Sequence, residues 1–288
     1  MDSKDFQLLA ALHKNARQSY HSLGRAVSLS APAVRERLKR LEANGVLKGY
    51  GLWMEPGLFN REEVLVFFAK ERSTKEVLKV LASRDVSWIG WKLEGGLTVG
   101  LWTKNLGRSI SDLKELLSEE PTGHAATGLR RVRPPSSLDW TMIHVLIDDP
   151  TISLGELIRM TGLSPKTVRK HLVKLFDSET LVIIPRLGTV EGSGELVYQL
   201  AVSGPATVSN IRDVIPDAVL LHQTRNPPMN YLLCRSSDLS DVSLKTKALR
   251  RLPGVETAVL SLNKELLFSK EFSHALVHMQ QEMKAQAT

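Results

Sequence analysis

The sequence contains a single cysteine, Cys234, among 288 residues. One cysteine excludes an intrachain disulfide and every zinc site built from several thiolates. Its neighbours are mostly apolar, and such surroundings raise the pKa of a thiol and make it a weak nucleophile. We therefore interpret Cys234 as a buried structural residue and expect a protein of the reducing cytoplasm.

Long apolar runs are missing as well. No stretch approaches the roughly 18 consecutive apolar residues that a transmembrane helix needs. Acidic residues precede the first short apolar run, which is the wrong order for a secretory signal. With 42% hydrophobic residues the chain can still bury real cores. The sequence therefore predicts a protein of two or more small domains with no membrane partner.

The common signatures of enzymes and metal sites are also missing. The chain has no phosphate-binding loop, no nucleophile elbow and no evident pair of catalytic carboxylates. Its eight histidines are scattered. His274 and His278 have the i, i+4 spacing of one helix face, but no third ligand is evident, and a solvated terminal helix explains them. We expect neither an enzyme nor a metal or other cofactor.

Positive charge is what the sequence has in excess, and the excess is confined to one half. The net charge is +7. Residues 1–135 hold 22 basic and 15 acidic residues, whereas residues 136–288 hold 16 of each. A basic half indicates a polyanionic partner such as nucleic acid, although many other soluble proteins carry a similar charge.

The chain repeats one pattern after 134 residues. Residues 29–41 and 163–175 align without a gap and are identical at six of thirteen positions, and the same offset pairs Asp5 with Asp139. The seam between the copies is RRVRPPSSLDW, where two prolines cannot continue a helix and a serine can cap the next one. The predicted domains are residues 1–60, 61–135, 136–192 and 193–288, with the boundary between copies near Ser136.

The first copy begins with three predicted helices, the last of which places Val34, Leu38 and Leu41 on one apolar face. Asn44 and Gly45 end that helix, and a β-wing is expected to follow. Two short helices around a tight turn, the second with a basic outer face, are typical of a helix-turn-helix that inserts its second helix into the major groove. The candidate DNA-contacting residues are Ser30, Pro32, Ala33, Arg35, Glu36, Lys39 and Arg40.

The second copy repeats this arrangement, with Gly162 in the turn and Ser164 and Pro165 opening the third helix. No acidic residue occurs from Leu157 to Phe176, although five basic residues do. Focused charge of this kind favours DNA binding over a solvated helical face. The candidate DNA-contacting residues are Ser164, Lys166, Thr167, Arg169, Lys170 and Lys174.

Each predicted helix-turn-helix is followed by a β-α-β-β-α-β pattern, the ferredoxin-like order. In the first copy we expect its last strand near residues 129–132. In the second copy we expect a long turn over residues 224–230 and a second helix over residues 244–251. A further helix is predicted from Phe272 to the end, which either drives assembly or frays. The fold class is therefore α+β, with two winged helix-turn-helix modules each followed by a ferredoxin-like module.

These residues resemble the Lrp/AsnC family, the feast/famine transcriptional regulators. The resemblance rests on the residues that recur in that family's helix-turn-helix, which here are Asp5, Leu8, Leu9, Leu12, Leu29, Ser30, Val34, Arg37, Leu38, Leu41, Gly45, Val46, Gly49 and Tyr50. Residues 250–255 resemble the segment before the family's last strand. The resemblance implies a sequence-specific double-stranded DNA-binding transcriptional regulator with a ferredoxin-like effector module.

The chain departs from that family in two respects. Members usually carry one copy per chain and pair through their sheets, so two copies imply a covalent pseudo-dimer that assembles further as a homo-oligomer and recognises an asymmetric DNA site. The family's effector loop often carries a Gly-Asp pair, which is absent here. The candidate positions for a small-molecule effector such as an amino acid are Gly95, Gly96, Asn226 and Asn230, with a plain hairpin turn as the alternative.

Two other functions stay open at this stage. Siroheme decarboxylases resemble the same family and keep its fold, which implies a tetrapyrrole enzyme acting through histidine, tyrosine and arginine side chains. A winged helix can also serve as a protein-interaction scaffold. Salt dependence distinguishes these possibilities, because DNA binding releases counterions and weakens steeply as salt rises.

Overall fold

The computed structural model describes residues 1–188 and 196–286. Its first helix-turn-helix module comprises α1 (Ser3–Lys14), α2 (Tyr20–Val27) and α3 (Ala31–Ala43), followed by strand β1 (Leu47–Met54). Local chemistry sets these limits. Ser30 accepts a hydrogen bond from the amide of Ala33 and caps α3, and Gly45 follows the helix at a φ of 68°.

The first α/β module follows a 3-10 turn at Pro56–Phe59. It comprises β2 (Glu62–Phe68), α4 (Thr74–Leu81), β3 (Val86–Lys92), β4 (Leu97–Thr103), α5 (Leu106–Leu117) and β5 (Gly123–Ala126). The strands lie in the order β3-β4-β2-β5, with antiparallel neighbours. Both helices cover one face of this sheet, where Val64, Val99 and Leu113 are buried. This is the expected ferredoxin-like topology.

The second copy repeats these elements. Its helix-turn-helix comprises α6 (Ser137–Asp148), α7 (Leu154–Thr161) and α8 (Pro165–Asp177), followed by β6 (Leu181–Leu187). Its α/β module comprises β7 (Leu196–Ser203), α9 (Val208–Val214), β8 (Val219–Arg225), β9 (Pro228–Ser236), α10 (Leu239–Leu249) and β10 (Thr257–Ser261). The strand order is β10-β7-β9-β8, the same as in the first module. The chain then adds β11 (Asn263–Phe268) and α11 (Lys270–Gln286).

Three element boundaries predicted from the sequence were wrong. The last strand of the first module is Gly123–Ala126, not residues 129–132; Leu129 is exposed, and small side chains made the true strand hard to recognise. The expected long turn of residues 224–230 is a two-residue turn, because Arg225 already pairs with Pro228. Helix α10 begins at Leu239, earlier than predicted, because Asp238 caps it by accepting from the amide of Asp241.

The strands that follow α3 and α8 pair with each other. Strand β1 runs antiparallel to β6 in a two-stranded sheet shared by both copies. Tyr50 pairs with Pro185 and Gly51 with Ile184. Tyr50 and Ile184 are equivalent residues of the two copies, and so are Gly51 and Pro185. Exchanging the copies therefore turns the first pair into the second, so a local pseudo-two-fold axis passes between the two pairs. The two helix-turn-helix modules are therefore joined as the halves of a dimer would be.

The two α/β modules also pair, through the sheet faces that carry no helices. At one edge β11 extends the first sheet by pairing with β3. At the other edge Ala126 and Asn226 exchange two backbone hydrogen bonds of 2.8 and 3.1 Å. These contacts confirm the predicted pseudo-dimer within one chain. In the described part of the chain, no helix has the length and apolar composition needed to cross a membrane.

A buried carboxylate lies between the two modules. Glu63, on β2, is 1% exposed, and its Oε1 atom accepts hydrogen bonds from three indole groups. The donors are Trp53 at 3.2 Å, Trp88 at 2.8 Å and Trp102 at 3.1 Å. The Nε2 atom of His222, on β8 of the other module, lies 3.3 Å from Oε2. Glu63 thus links β1 and both sheets.

Helix α11 packs against the rest of the molecule through its first half, whereas Met279 and Met283 further along are exposed. Leu276 and Val277 are buried against α6 and the first sheet, in the core that also contains Trp102 and Trp140. His274 contacts α6 and not His278: its Nε2 lies 3.0 Å from Asp148, and His278 pairs with Glu282. The terminal helix therefore fastens the second helix-turn-helix to the first α/β module.

Candidate nucleic-acid interface

The turn before each recognition helix requires unusual backbone conformations. Ser28 and Gly162 occupy equivalent positions in the two copies, with φ of 57° and 66°. Gly24, in the second half of α2, faces the carbonyl oxygen of Leu29, which would lie 2.4 Å from a Cβ atom at this position. Only glycine allows this approach, so the turn holds α2 and α3 close together.

The recognition helix α3 has one buried face and one exposed face. Val34, Leu38 and Leu41 are at most 6% exposed and pack on the helices before them. The candidate residues Ser30, Pro32, Arg35, Glu36, Lys39 and Arg40 are exposed, and Ala33 is half-buried. Burial of the apolar stripe therefore orients the charged stripe outward, as a groove-binding helix requires.

Helix α8 has the same orientation. Val168, Leu172 and Leu175 are buried. Ser164 caps the helix by accepting from the amide of Thr167. The candidate residues Ser164, Lys166, Arg169, Lys170 and Lys174 are exposed, and Thr167 is half-buried. Both predicted recognition surfaces therefore face solvent.

A buried aspartate in the first helix of each copy binds the recognition helix from behind. In the first copy Asp5, fully buried, accepts hydrogen bonds from Arg37 at 2.8 Å and from Arg40 at 2.9 Å. In the second copy the equivalent Asp139 contacts His171 at 2.6 Å and Lys174 at 3.0 Å. The offset of 134 residues relates both pairs of partners. Each aspartate thus fixes the angle between two helices.

These ion pairs shift the pKa values of the groups involved. Burial pushes the pKa of Asp139 upward, but hydrogen bonds from His171, Ser136 and Lys174 outweigh it and lower the pKa to about 2. Hydrogen bonds to Asp2 and Asp5 raise the pKa of Arg37. Asp139 is therefore ionised at neutral pH, and its ionisation stabilises the cations around it.

The exposed cations of the two helices fall into two groups. Arg40 and Lys174 direct their head groups to the buried aspartates and are thereby partly neutralised. Five other cations have no hydrogen-bonding or ion-pair partner among the residues that the structure describes: Arg35, Lys39, Lys166, Arg169 and Lys170. These five have their whole head group available for an external anion, whereas Arg40 and Lys174 keep only the N–H donors that the aspartates do not use.

Sequence reasoning did not identify Arg37, His171 or Arg133 as parts of this surface. Arg37 enters the sequence analysis only through the family resemblance and His171 only as one of eight scattered histidines, although their common distance from Asp5 and Asp139 is visible in the repeat. Arg133 belongs to the basic seam before Pro134, and the structure places it beside α8, together with Lys170, His171 and Lys174. The run RRVR was the signal that pointed to it.

Three of the four candidate effector positions, Gly95, Gly96 and Asn226, lie in the turns between the middle strands of the two modules, and Asn230 lies within β9. Gly95 and Gly96 have positive φ, and a Cβ atom on Gly96 would lie 2.2 Å from the carbonyl oxygen of Phe68. Asn226 pairs through its backbone with Ala126. The buried side chain of Asn230 donates to Ala206 and accepts from Gln223. Each position has a structural role of its own.

No cluster of three or more metal-ligating side chains occurs within residues 1–188 and 196–286. His144 and His274 approach each other closely, and their Nδ1 atoms lie 3.3 Å apart. His274 is already paired with Asp148 through its second nitrogen. The exposed cations of α3 and α8 therefore define the candidate site.

Comparison with known proteins gives matches in both copies. Residues 1–42 match the model of the AsnC-type helix-turn-helix domain, and residues 136–175 match that of a winged helix-turn-helix DNA-binding domain. The chain is similar to an uncharacterized HTH-type transcriptional regulator of Pyrococcus abyssi, with 37% identity over 139 residues that cover 46% of this chain and 88% of the relative.

Other relatives match over shorter segments. The HTH-type transcriptional regulator LrpB of Bacillus subtilis is 32% identical over 87 residues, which are 30% of this chain and 58% of that protein. The chain thus spans less than two thirds of this relative's length. Among solved structures, the siroheme decarboxylase NirDL aligns with 97% of this chain over 99% of the NirDL chain, with 11% identity and a TM-score of 0.47. A likeness of this size carries no information about activity.

Proposed function

Because the chain belongs to the Lrp/AsnC family of helix-turn-helix transcriptional regulators, we propose that it is a sequence-specific regulator that binds double-stranded DNA with α3 and α8. One observation carries this proposal. Both recognition helices expose cations that have no partner among the described residues, while their apolar faces are buried. A helix presented in this way fits the major groove of B-form DNA.

Base recognition in this proposal centres on Arg35 and Arg169. They occupy equivalent positions in α3 and α8, and an arginine fork binds the O6 and N7 atoms of guanine in a bidentate manner. Lys39, Arg40 and Lys174 contribute phosphate contacts. Ser30, Pro32, Ala33, Ser164 and Thr167 lie at the helix starts, the part of a recognition helix that approaches the base edges.

The preferred DNA site is asymmetric in this proposal. Apart from Arg35 and Arg169 and the capping serines Ser30 and Ser164, equivalent exposed positions differ between the helices: Pro32 corresponds to Lys166, Glu36 to Lys170 and Lys39 to Val173. Unlike side chains read unlike half-sites. A single chain therefore needs no palindrome, although its two modules are arranged as in a symmetric dimer.

Regulation and assembly complete the proposal. We infer that the chain acts by binding rather than by catalysis, that it assembles further as a homo-oligomer, and that a small effector such as an amino acid modulates it. Gly95, Gly96, Asn226 and Asn230 remain the candidate effector positions. The exposed apolar residues Leu239 and Leu244 on α10, 71% and 67% exposed, support a further interface.

Selection of bound fragments from genomic DNA, with and without amino acids, tests this function. We expect one enriched asymmetric motif whose affinity falls steeply with salt, because each phosphate contact releases counterions. A protein-interaction scaffold would enrich no fragment and show little affinity for any duplex. A tetrapyrrole enzyme would instead develop a new absorbance band when titrated with siroheme. Either result would overturn the proposal.

A further inference from the structure

The linker between the two copies forms a basic hollow against α8. Four side chains surround it: Arg133 from the linker and Lys170, His171 and Lys174 from the helix. The hollow has a volume of about 410 Å³, and Arg133 and Lys170 on its wall are exposed to solvent. Its size suits one tetrahedral anion with its water shell, and every lining side chain is a hydrogen-bond donor or becomes one when protonated.

A buried carboxylate organises two of these four side chains. Asp139 is inaccessible to solvent, and it holds His171 at 2.6 Å and Lys174 at 3.0 Å. His171 uses Nδ1 for this contact, which leaves its Nε2 atom for another partner. The arrangement is therefore built before any ligand arrives, and little side-chain freedom would be lost on binding.

The linker side chain is positioned by its own backbone. Arg133 precedes Pro134 and Pro135, whose rings fix φ and restrict the residue before each of them. Ser136 then caps α6, with its amide and hydroxyl bonded to Asp139. Arg133 is thus held next to α8 by a short, stiff segment anchored at the same aspartate.

The hollow keeps an excess of positive charge. Arg133, Lys170 and Lys174 contribute three basic side chains, and Asp139 faces them from α6. Arg133 and Lys170 have no partner within the described parts of the chain, and both are exposed. Uncompensated cations close together repel each other, and an anion between them relieves that repulsion.

The first copy lacks this excess although it shares the buried aspartate. Glu36 occupies the position of Lys170, and Asp2 occupies that of Ser136. Asp2 binds Arg37 at 2.7 Å, in addition to the contact of Arg37 with Asp5. Two carboxylates thus neutralise the two arginines, and Glu36 adds a further negative charge. The corresponding surface of the first module therefore lacks the excess positive charge of the hollow.

We propose that the hollow binds a phosphate of the DNA backbone and that Arg133 acts as a phosphate-binding residue outside the helix-turn-helix. This inference rests on the proposed DNA-binding function. The phosphate contact belongs to the second module alone, so α8 forms the more salt-sensitive half of the complex. Arg133 positions the module on the duplex without reading sequence, as phosphate contacts generally do.

Fluorescence anisotropy with the selected duplex, measured at several KCl concentrations, tests the proposal on Arg133→Ala. The plot of log K against log salt has a negative slope, and a lost phosphate contact reduces the magnitude of that slope by about 0.9. This change corresponds to roughly eightfold weaker binding at 0.1 M salt. Arg131→Ala is the matched control, because Arg131 is an exposed linker arginine that does not line the hollow. We expect the control to keep the wild-type slope.

Separate outcomes identify separate failures. A wild-type protein that binds no duplex would refute the proposed function itself. If the wild type binds DNA but Arg133→Ala keeps its affinity and slope, the phosphate site is refuted and the function stands. Equal losses in both variants would mean general electrostatics and would also refute the site. An unchanged thermal unfolding midpoint of Arg133→Ala ensures that the comparison concerns folded protein.

Discussion

Arg17 of the first helix-turn-helix donates a hydrogen bond of 2.9 Å to the carbonyl oxygen of Pro150 in the second. Its other terminal nitrogen donates to Ile152, also at 2.9 Å. The repeat offset relates Ala16 to Pro150, so two equivalent loops meet at this contact. The residue equivalent to Arg17 is Thr151, and the bridge therefore exists once and not twice.

Arg17→Ala is expected to loosen the spacing between the two recognition helices. Loss of two charge-assisted hydrogen bonds removes about 1–2 kcal/mol from the coupling of the modules, while the paired strands β1 and β6 still connect them. Affinity for the full site should fall about fivefold to tenfold, and discrimination against sites with one or two inserted base pairs should decrease. Anisotropy on a series of spacer lengths measures both quantities.

Binding to an isolated half-site provides the control for that variant. Arg17 contacts no candidate DNA-contacting residue, so half-site affinity should be unchanged. A variant that keeps the wild-type preference for one spacer length would show that Arg17 does not set the geometry.

Arg35→Ala and Arg169→Ala should each cost about 1–3 kcal/mol of specific binding, because each removes one base-reading fork. We expect each change to relax sequence preference in a different half of the site. Fragment selection with each variant measures this. Lys75→Ala on α4 serves as an exposed basic control far along the chain from both recognition helices. Unchanged preference in both folded variants would exclude these residues from base recognition.

Acid should weaken the second module through Asp139. Because the pKa of this carboxyl is lowered from 3.8 to about 2 on folding, its ion pairs add stability above about pH 4, and this contribution is lost as the pH falls towards 2. We expect a contribution of about 1–2 kcal/mol, allowing for screening near the surface. Urea unfolding of the wild type and Asp139→Asn, measured from about pH 6 to pH 2, should give curves that converge in acid. A difference that stays constant with pH would contradict this account.

Replacement of Glu63 should destabilise the contact between the two α/β modules. Glu63→Leu leaves the indole groups of Trp53, Trp88 and Trp102 without their shared acceptor, which costs about 1–3 kcal/mol for the buried Trp102 and less for each of the half-buried Trp53 and Trp88. We expect a loss of about 3 kcal/mol or more in urea unfolding followed by tryptophan fluorescence.

Glu63→Gln provides the comparison, since it keeps the shape and one acceptor oxygen and should lose less stability. If the leucine variant were as stable as the wild type, the indole cluster would contribute nothing to the assembly of the modules.

Local sequence determined the elements of this protein and their repetition. The stripe of Val34, Leu38 and Leu41 and the caps at Ser30 and Ser164 depend on residues a few positions apart, so periodicity and capping rules predicted both recognition helices. The 134-residue offset predicted the pseudo-dimer, because equivalent sequences form equivalent faces. The short strand Gly123–Ala126 escaped prediction because its small side chains carry little hydrophobic pattern.

The tertiary structure alone decided which distant groups meet. Strand β1 finds its partner in β6, α11 packs on α6, and Arg40 turns back to Asp5. Arg133 of the linker lines the same hollow as Lys170 and Lys174 of α8. Each of these contacts joins residues far apart in the chain. The local sequence around a hydrogen-bond donor or an apolar face does not determine which distant group it will contact. The physical reason is that pairing is selected by the burial and charge balance of the whole fold.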